Sequence, residues 1–243
     1  MTERTSDNPD ILELLPRLAD SDAAVRRIAL IDLADLEEPD GLPWLTDALL
    51  VDPAAEVRAE AARLLEAWEE PEVVQALCAA LADAAEPVRL AAAQSLSELK
   101  SLEAGQLILP WVNHAEGFVR ASALRALREL RLEEAAGPAL LALQDAEATV
   151  RREAVGILGW LKHQPALPAL ARLAAEEPDT EVRRAAIGAL GLARDTDVLP
   201  ALTAALGDAA WQVREEAATT LGKIGRAEAG PALVDALQDG YWQ

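Results

Sequence analysis

A single cysteine, Cys78, and two histidines, His114 and His163, are the only thiol and imidazole groups in this 243-residue chain. One cysteine excludes an intramolecular disulfide, a thiolate metal cluster and a CxxC redox pair. A zinc site needs three or four converging ligands, which two distant histidines and one thiol cannot supply. Cys78 lies in the apolar run Val74–Leu81 with no base nearby in sequence, so it reads as a small buried hydrophobe. The histidines fall in turns and read as solvated or capping side chains. Carboxylates are plentiful, but no EF-hand spacing appears. There is no P-loop and no GxGxxG after a strand, and Gly156–Gly159 lies inside an expected helix, where it cannot wrap a phosphate. The expectation is therefore no catalytic residue, no metal and no cofactor: a non-enzymatic role.

Charge and composition narrow the partners. Against 22 Lys+Arg stand 42 Asp+Glu, a net charge of −20. Residues 1–122 hold 24 acids and 9 bases; residues 123–243 hold 18 and 13. Such a field repels phosphate and anionic lipid, so neither nucleic acid nor a membrane is expected as partner. No apolar run reaches the roughly 18 residues that span a bilayer. The N-terminus, MTERTSDNPD, is polar and acidic, unlike a signal peptide, and the chain reads as cytoplasmic. Hydrophobic residues make up 51% but aromatics only 3%. Ala and Leu dominate, and they favour helices over sheet.

The elements follow from a repeat. Val-Arg recurs at Val25, Val57, Val88, Val119, Val150, Val182 and Val213, in steps of 31 or 32 residues. Four residues after each Val stands Ala, and eight after stands Leu: Ala61 and Leu65, for example, or Ala154 and Leu158. Offsets 0, 4, 5, 8 and mostly 11 form the buried stripe of an amphipathic helix, helix B, over 23–36, 54–68, 86–99, 117–130, 147–161, 179–192 and 210–224. Another apolar helix, A, precedes each, often opened by proline (Pro43, Pro71, Pro138, Pro165, Pro200, Pro231), whose missing N–H costs nothing in a first turn. These A helices are expected over 9–19, 41–50, 71–82, 103–113, 133–144, 165–174, 196–206 and 228–238. Asp20, Asp52, Asp83, Asp145 and Asp208 stand five residues before Val, in the A–B turn. Their carboxylates can accept backbone N–H groups there and receive the arginine of a neighbouring repeat as a charge-assisted ladder. His114 and Glu177 replace the Asp in the fourth and sixth repeats.

A helix pair with Asp in the turn, then Val-Arg-x-x-Ala-Ala-x-x-Leu, resembles the HEAT repeat. The glycine-bearing form seen in Val150–Gly159 resembles the PBS-lyase HEAT-like repeat. The likeness covers nearly the whole chain. It implies an all-α, right-handed solenoid, a single domain over 1–243, with about seven helix pairs and a lone C-terminal helix. At about 10 Å between packed helices the arc would run roughly 70–80 Å. HEAT-like deoxyhypusine hydroxylases carry His-Glu pairs for iron, but here His114 precedes Ala115 and His163 precedes Gln164. HEAT-like DNA glycosylases need a basic groove, which −20 does not suit. What remains is a protein-binding scaffold, adaptor or assembly factor. The alternative is a bilin-lyase-like or chromophore-handling subunit acting with a partner, because this repeat type is named for such proteins.

In HEAT stacks the B helices line the concave face, and offsets 2, 6 and 9 fall on its exposed centre. There the fourth to sixth repeats place Arg125, Arg128, Arg152 and Arg184 beside Gly156, Gly159, Gly188 and Gly191. Glycine inside a helix costs up to about 1 kcal/mol against Ala. At offset 9 it suits close packing; at offset 6 (Gly156, Gly188) it also suits a floor cleared for a partner. Offset 10, usually polar, holds Trp160 and Leu192, an expected exposed apolar pair. Trp and Arg are frequent interface anchors. The partner-binding candidates are thus Arg125, Arg128, Arg152, Gly156, Trp160, Arg184, Gly188 and Leu192, with Trp211 and Trp242 on the A–B turn ridge as a second surface. Phe118 stands on the same ridge, while Trp44, Trp68 and Trp111 read as core. The repeat stops after Asp239 without another Val-Arg, and end-to-end self-association through that terminal helix is a further expectation.

Overall fold

The computed structural model describes residues 6–193 and 196–240. Its helices fall into two compact units, Met1–Leu130 and Arg131–Gln243. The first holds α1 (Pro9–Leu18), α2 (Ala23–Ala34), α3 (Leu42–Val51), α4 (Ala55–Leu64), α5 (Pro71–Ala80), α6 (Glu86–Glu98), α7 (Leu102–Ile108) and α8 (Gly117–Leu130). The second holds α9 (Ala136–Ala142), α10 (Ala148–Trp160), α11 (Leu167–Glu176), α12 (Thr180–Leu190), α13 (Leu199–Ala205), α14 (Trp211–Ile224) and α15 (Gly230–Ala236). No strand occurs among the described residues. Nor is any helix there long and apolar enough to cross a membrane. The fold is an all-α solenoid of helix pairs, with the even-numbered helices in the role of helix B.

The buried stripe runs where the repeat places it. Val57, Ala61, Ala62 and Leu65 are fully buried, as are Val182, Ala186, Ile187 and Leu190. Successive B helices pack on each other, α2 on α4, α4 on α6 and α6 on α8 in the first unit, α10 on α12 and α12 on α14 in the second. Ala at offset 4 keeps that approach close. The A helices begin differently from expectation: several open with a 3-10 turn, as at Pro39–Gly41 and Gln164–Ala166, before the α-helical part. Proline then sits in the first α-helical turn at Pro43, Pro168, Pro200 and Pro231, where no intrahelical N–H bond is lost. In the fourth repeat the A helix does not reach 113. Pro110 has no N–H to continue the α pattern, so α7 stops at Ile108 and residues 109–113 tighten into a 3-10 turn.

The turn residues form the ladder that their spacing predicts. Arg58 donates through Nε and Nη2 to the Asp83 carboxylate at 2.7 and 2.9 Å, while Nη1 donates to the carbonyl of Asp52 at 2.8 Å. Arg26–Asp52 and, in the second unit, Arg151–Glu177, Arg183–Asp208 and Arg214–Asp239 repeat the arrangement. Asp52, Asp83, Glu177 and Asp208 also take the N–H two residues on, from Ala54, Ala85, Asp179 and Ala210. The guanidinium of Arg58 and the Ala85 N–H hold the Asp83 carboxyl below its usual range. At Asp52 burial works upward, but Arg26 and the Ala54 N–H outweigh it and the net shift is down.

Four of the B helices, α2, α8, α10 and α14, end through a left-handed residue at offset 12: Glu37 (φ 54°), Arg131 (φ 55°), Lys162 (φ 51°) and Gly225 (φ 65°). Only the last is glycine, the residue that meets this conformation without a Cβ penalty. Glu37 also sets a negative charge at the C-terminal end of α2, against the helix dipole. Glu37→Gly is therefore expected to stabilise the protein by about 1 kcal/mol, read as a rise in Tm of about 2–4 °C.

Candidate functional site

Two stripes on adjacent helices of the second unit define the candidate surface. Along α10 the order is Arg152, Gly156, Trp160; along α12 and its end it is Arg184, Gly188, Leu192. Residues four apart share a helix face. Both stripes therefore run from an arginine over a bare glycine to a large apolar side chain. Trp160 is 48% exposed and Leu192 41%. Most large apolar side chains on these helices, such as Val155, Ile157 and Ile187, are buried. The guanidinium carbon of Arg131 stands 4.9 Å from the centroid of the Trp160 ring, a cation–π contact that fixes the ring's outward pose. Arg131 was not singled out by spacing. It stands at offset 12, in the left-handed residue after α8.

The glycines divide into two roles. A Cβ on Gly159 would lie 2.7 Å from Cβ and 2.9 Å from Cα of Ala189, and one on Gly191 would lie 2.5 Å from Cγ2 of Thr220. At offset 9, then, glycine lets α12 approach α10 and α14 approach α12. Gly188, at offset 6, is different: its nearest neighbour would be Oε1 of Glu216, at an ordinary 3.4 Å. Packing does not demand a glycine there.

The arginines are not a bare cationic patch. Arg152 pairs with Glu153 at 3.3 Å, Arg184 with Glu181 at 3.0 Å and Arg128 with Glu129 at 2.8 Å. Arg125 and Arg128 lie on α8 in the first unit; Arg152 and Arg184 lie in the second. Trp211 is half-buried as the first residue of α14, and Trp242 lies outside the described residues. Trp44, Trp68 and Trp111 are half-buried rather than core, and Trp111 stacks on His114. Cys78 is fully buried, and burial pushes its thiol up to about 12, away from nucleophilic use. His114 accepts the Glu116 N–H through Nδ1 at 3.2 Å, so it caps. Among the described residues no three His, Cys, Asp or Glu side chains converge as metal ligands would.

In the first unit the same B-helix face holds an open groove of about 670 Å³ between α4 and α6, lined by Arg63, Glu66, Leu90 and Gln94 among others. These are offset 2, 6 and 9 positions, the exposed centre that the periodicity marks. Ala59, another offset 2 residue, is instead buried.

The family description for HEAT repeats matches residues 11–97, 42–128, 105–191 and 173–243. No curated protein matches the chain in sequence. Among solved structures, YibA of Escherichia coli is similar at 21% identity over 90% of this chain and 82% of that one, with a TM-score of 0.61. Kap121p, solved bound to Pho4p, is similar at 17% identity and TM-score 0.67, over 93% of this chain but only 30% of its own. The CpcE–CpcF complex of phycocyanin lyase from Nostoc sp. PCC7120 aligns at 20% identity over 96% and 95%, with a TM-score of 0.46, too loose to bear on function. At these identities the likenesses are likenesses of fold.

Proposed function

This chain belongs to the HEAT-repeat family, and on that footing we propose that it is a non-catalytic cytoplasmic scaffold, adaptor or assembly factor. It holds a protein partner against the face of α10 and α12. The observation that carries the reading is the doubled stripe Arg152–Gly156–Trp160 beside Arg184–Gly188–Leu192, with its two apolar ends exposed. A partner segment that lays an apolar side chain beside Trp160 and Leu192 would remove both from water. Gly188, where an added Cβ would meet only the Glu216 carboxylate, leaves room for the segment's backbone, and the paired arginines at the far end offer donors at the rim. An aromatic side chain already held by Arg131 loses little conformational freedom on binding, which favours its use as an anchor.

The test is affinity capture with substituted baits. Trp160→Ala is expected to weaken partner binding by about 2 kcal/mol while Tm stays nearly unchanged, as for an exposed anchor. Trp211→Ala, on the turn ridge, is expected to bind as the unsubstituted protein does. Normal capture by Trp160→Ala together with loss in Trp211→Ala would move the site to the ridge.

A further inference from the structure

The arginine ladder is interrupted once within the first unit. Arg26 and Arg58 each use Nη1 on a carbonyl of their own turn and Nε with Nη2 on the next turn's carboxylate. Arg89, the next in the series, keeps the first half: Nη1 donates to the carbonyls of Asp83 at 2.9 Å and Ala84 at 3.1 Å. The next turn, however, offers His114 where Asp52 and Asp83 stand before it. His114 replaces the carboxylate only as a cap, taking the Glu116 N–H. Among the described residues Arg89 pairs with no carboxylate, and its guanidinium lies 5.7 Å from the centroid of the Phe118 ring. Behind this, His114 stacks on Trp111, 5.8 Å between ring centroids and 24° between planes.

We propose that the turn between α7 and α8 binds the side-chain carboxylate of an Asp or Glu on a partner polypeptide, seated on Nε and Nη2 of Arg89 against Phe118. The protein itself shows what this fork accepts: an Asp oxygen at 2.7–2.9 Å on each of two nitrogens, as Arg58 has. Nη1 is anchored to backbone carbonyls in both places, so part of the ordering that a bidentate pair needs is already made. Charge-assisted bidentate pairs are the strong class of hydrogen bond. The chain's net negative charge opposes an acidic partner at long range, but at physiological salt that field is screened within about 8 Å. In the turn itself Arg120 is tied by Nη1 to the carbonyls of His114 and Ala115, and Glu116 is the one acidic residue between His114 and α8. This proposal does not rest on the reading of α10 and α12.

The experiment follows the Nε–H resonances of 15N-arginine-labelled protein, with Arg89 assigned by Arg89→Lys. The probes are N-acetyl-aspartate amide, N-acetyl-asparagine amide and N-acetyl-alanine with a free terminal carboxylate, each added at constant ionic strength. The aspartate probe is expected to shift Arg89 saturably and leave Arg58 in place, while the asparagine probe moves neither. His114→Asp supplies the missing carboxylate internally. It should abolish the Arg89 response and raise Tm by about 2 °C or more. The proposal is overturned if Arg89 moves no more than Arg58, if His114→Asp responds like the unsubstituted protein, or if only the terminal carboxylate binds.

Discussion

Arg58→Ala is expected to destabilise the protein by about 3 kcal/mol at neutral pH, the range for breaking a largely buried charge pair. The side chains of Arg58 and Asp83 are only 15% and 13% exposed. The substitution removes both bonds to the Asp83 carboxylate and the bond to the Asp52 carbonyl, and leaves Asp83 charged beside a packed turn. Its pH dependence follows from the direction of the shift. The folded carboxyl of Asp83 lies below the ordinary value near 4, through the Arg58 hydrogen bond first and the Ala85 N–H next. A depressed carboxyl contributes stability that is fully present above the unfolded pKa and is lost as pH falls through the folded one. The gap between the two proteins should thus be constant from neutral pH to about pH 5, and shrink below about pH 4. Urea denaturation at pH 7 and pH 3 measures it. An equal gap at both would mean that Arg58 acts by packing and not by its charge.

The ladder was legible in the sequence because each of its partners is fixed by offset from one valine. Val-Arg set the donor, Asp five residues before Val set the acceptor, and the constant period brought them together. The helix B stripe was legible for the same reason. Less was visible where a residue acts against its local type. Glu37, Arg131 and Lys162 adopt a left-handed backbone that only Gly225 announces. Pro110 shortens α7, whereas Pro43, Pro168, Pro200 and Pro231 sit in the first turn of their A helices and Pro16 stands inside α1. The site was half legible. Periodicity marks Trp160 and Leu192 as exposed and sets the offset 6 glycines apart from those at offset 9; the Cβ distances at Gly159, Gly188 and Gly191 supply the physical reason. The same periodicity groups the four arginines because offsets 2, 6 and 9 share one face. Glu129, Glu153 and Glu181 stand one to three residues away around the helix and meet three of them.

That distinction between glycines gives the second large effect. Gly159→Leu is expected to cost about 3 kcal/mol or more, because even its Cβ would collide with the backbone and Cβ of Ala189. Neither atom is the end of a flexible side chain, so α10 and α12 must separate. Gly188→Leu has only the Glu216 carboxylate to displace. Leucine also has the better helix propensity, by about 0.8 kcal/mol or so. Its Tm should be unchanged or slightly raised, while its side chain stands over the floor between the two stripes and blocks the partner. Thermal denaturation of both variants, with partner capture by Gly188→Leu, decides the matter. A large loss of Tm in Gly188→Leu would make that glycine one of packing, like Gly159.

A partner protein seated on the exposed end of the α10 and α12 stripes, as proposed, would cover Trp160 and Leu192. Hydroxyl-radical footprinting of the captured complex against the free protein reads this directly, because tryptophan oxidises readily when exposed. Trp160 and Leu192 are expected to oxidise in the free protein and to be protected in the complex, with Trp211 unchanged. Protection of Trp211, with Trp160 and Leu192 oxidised as fast in the complex as alone, would contradict the account and place the partner on the turn ridge.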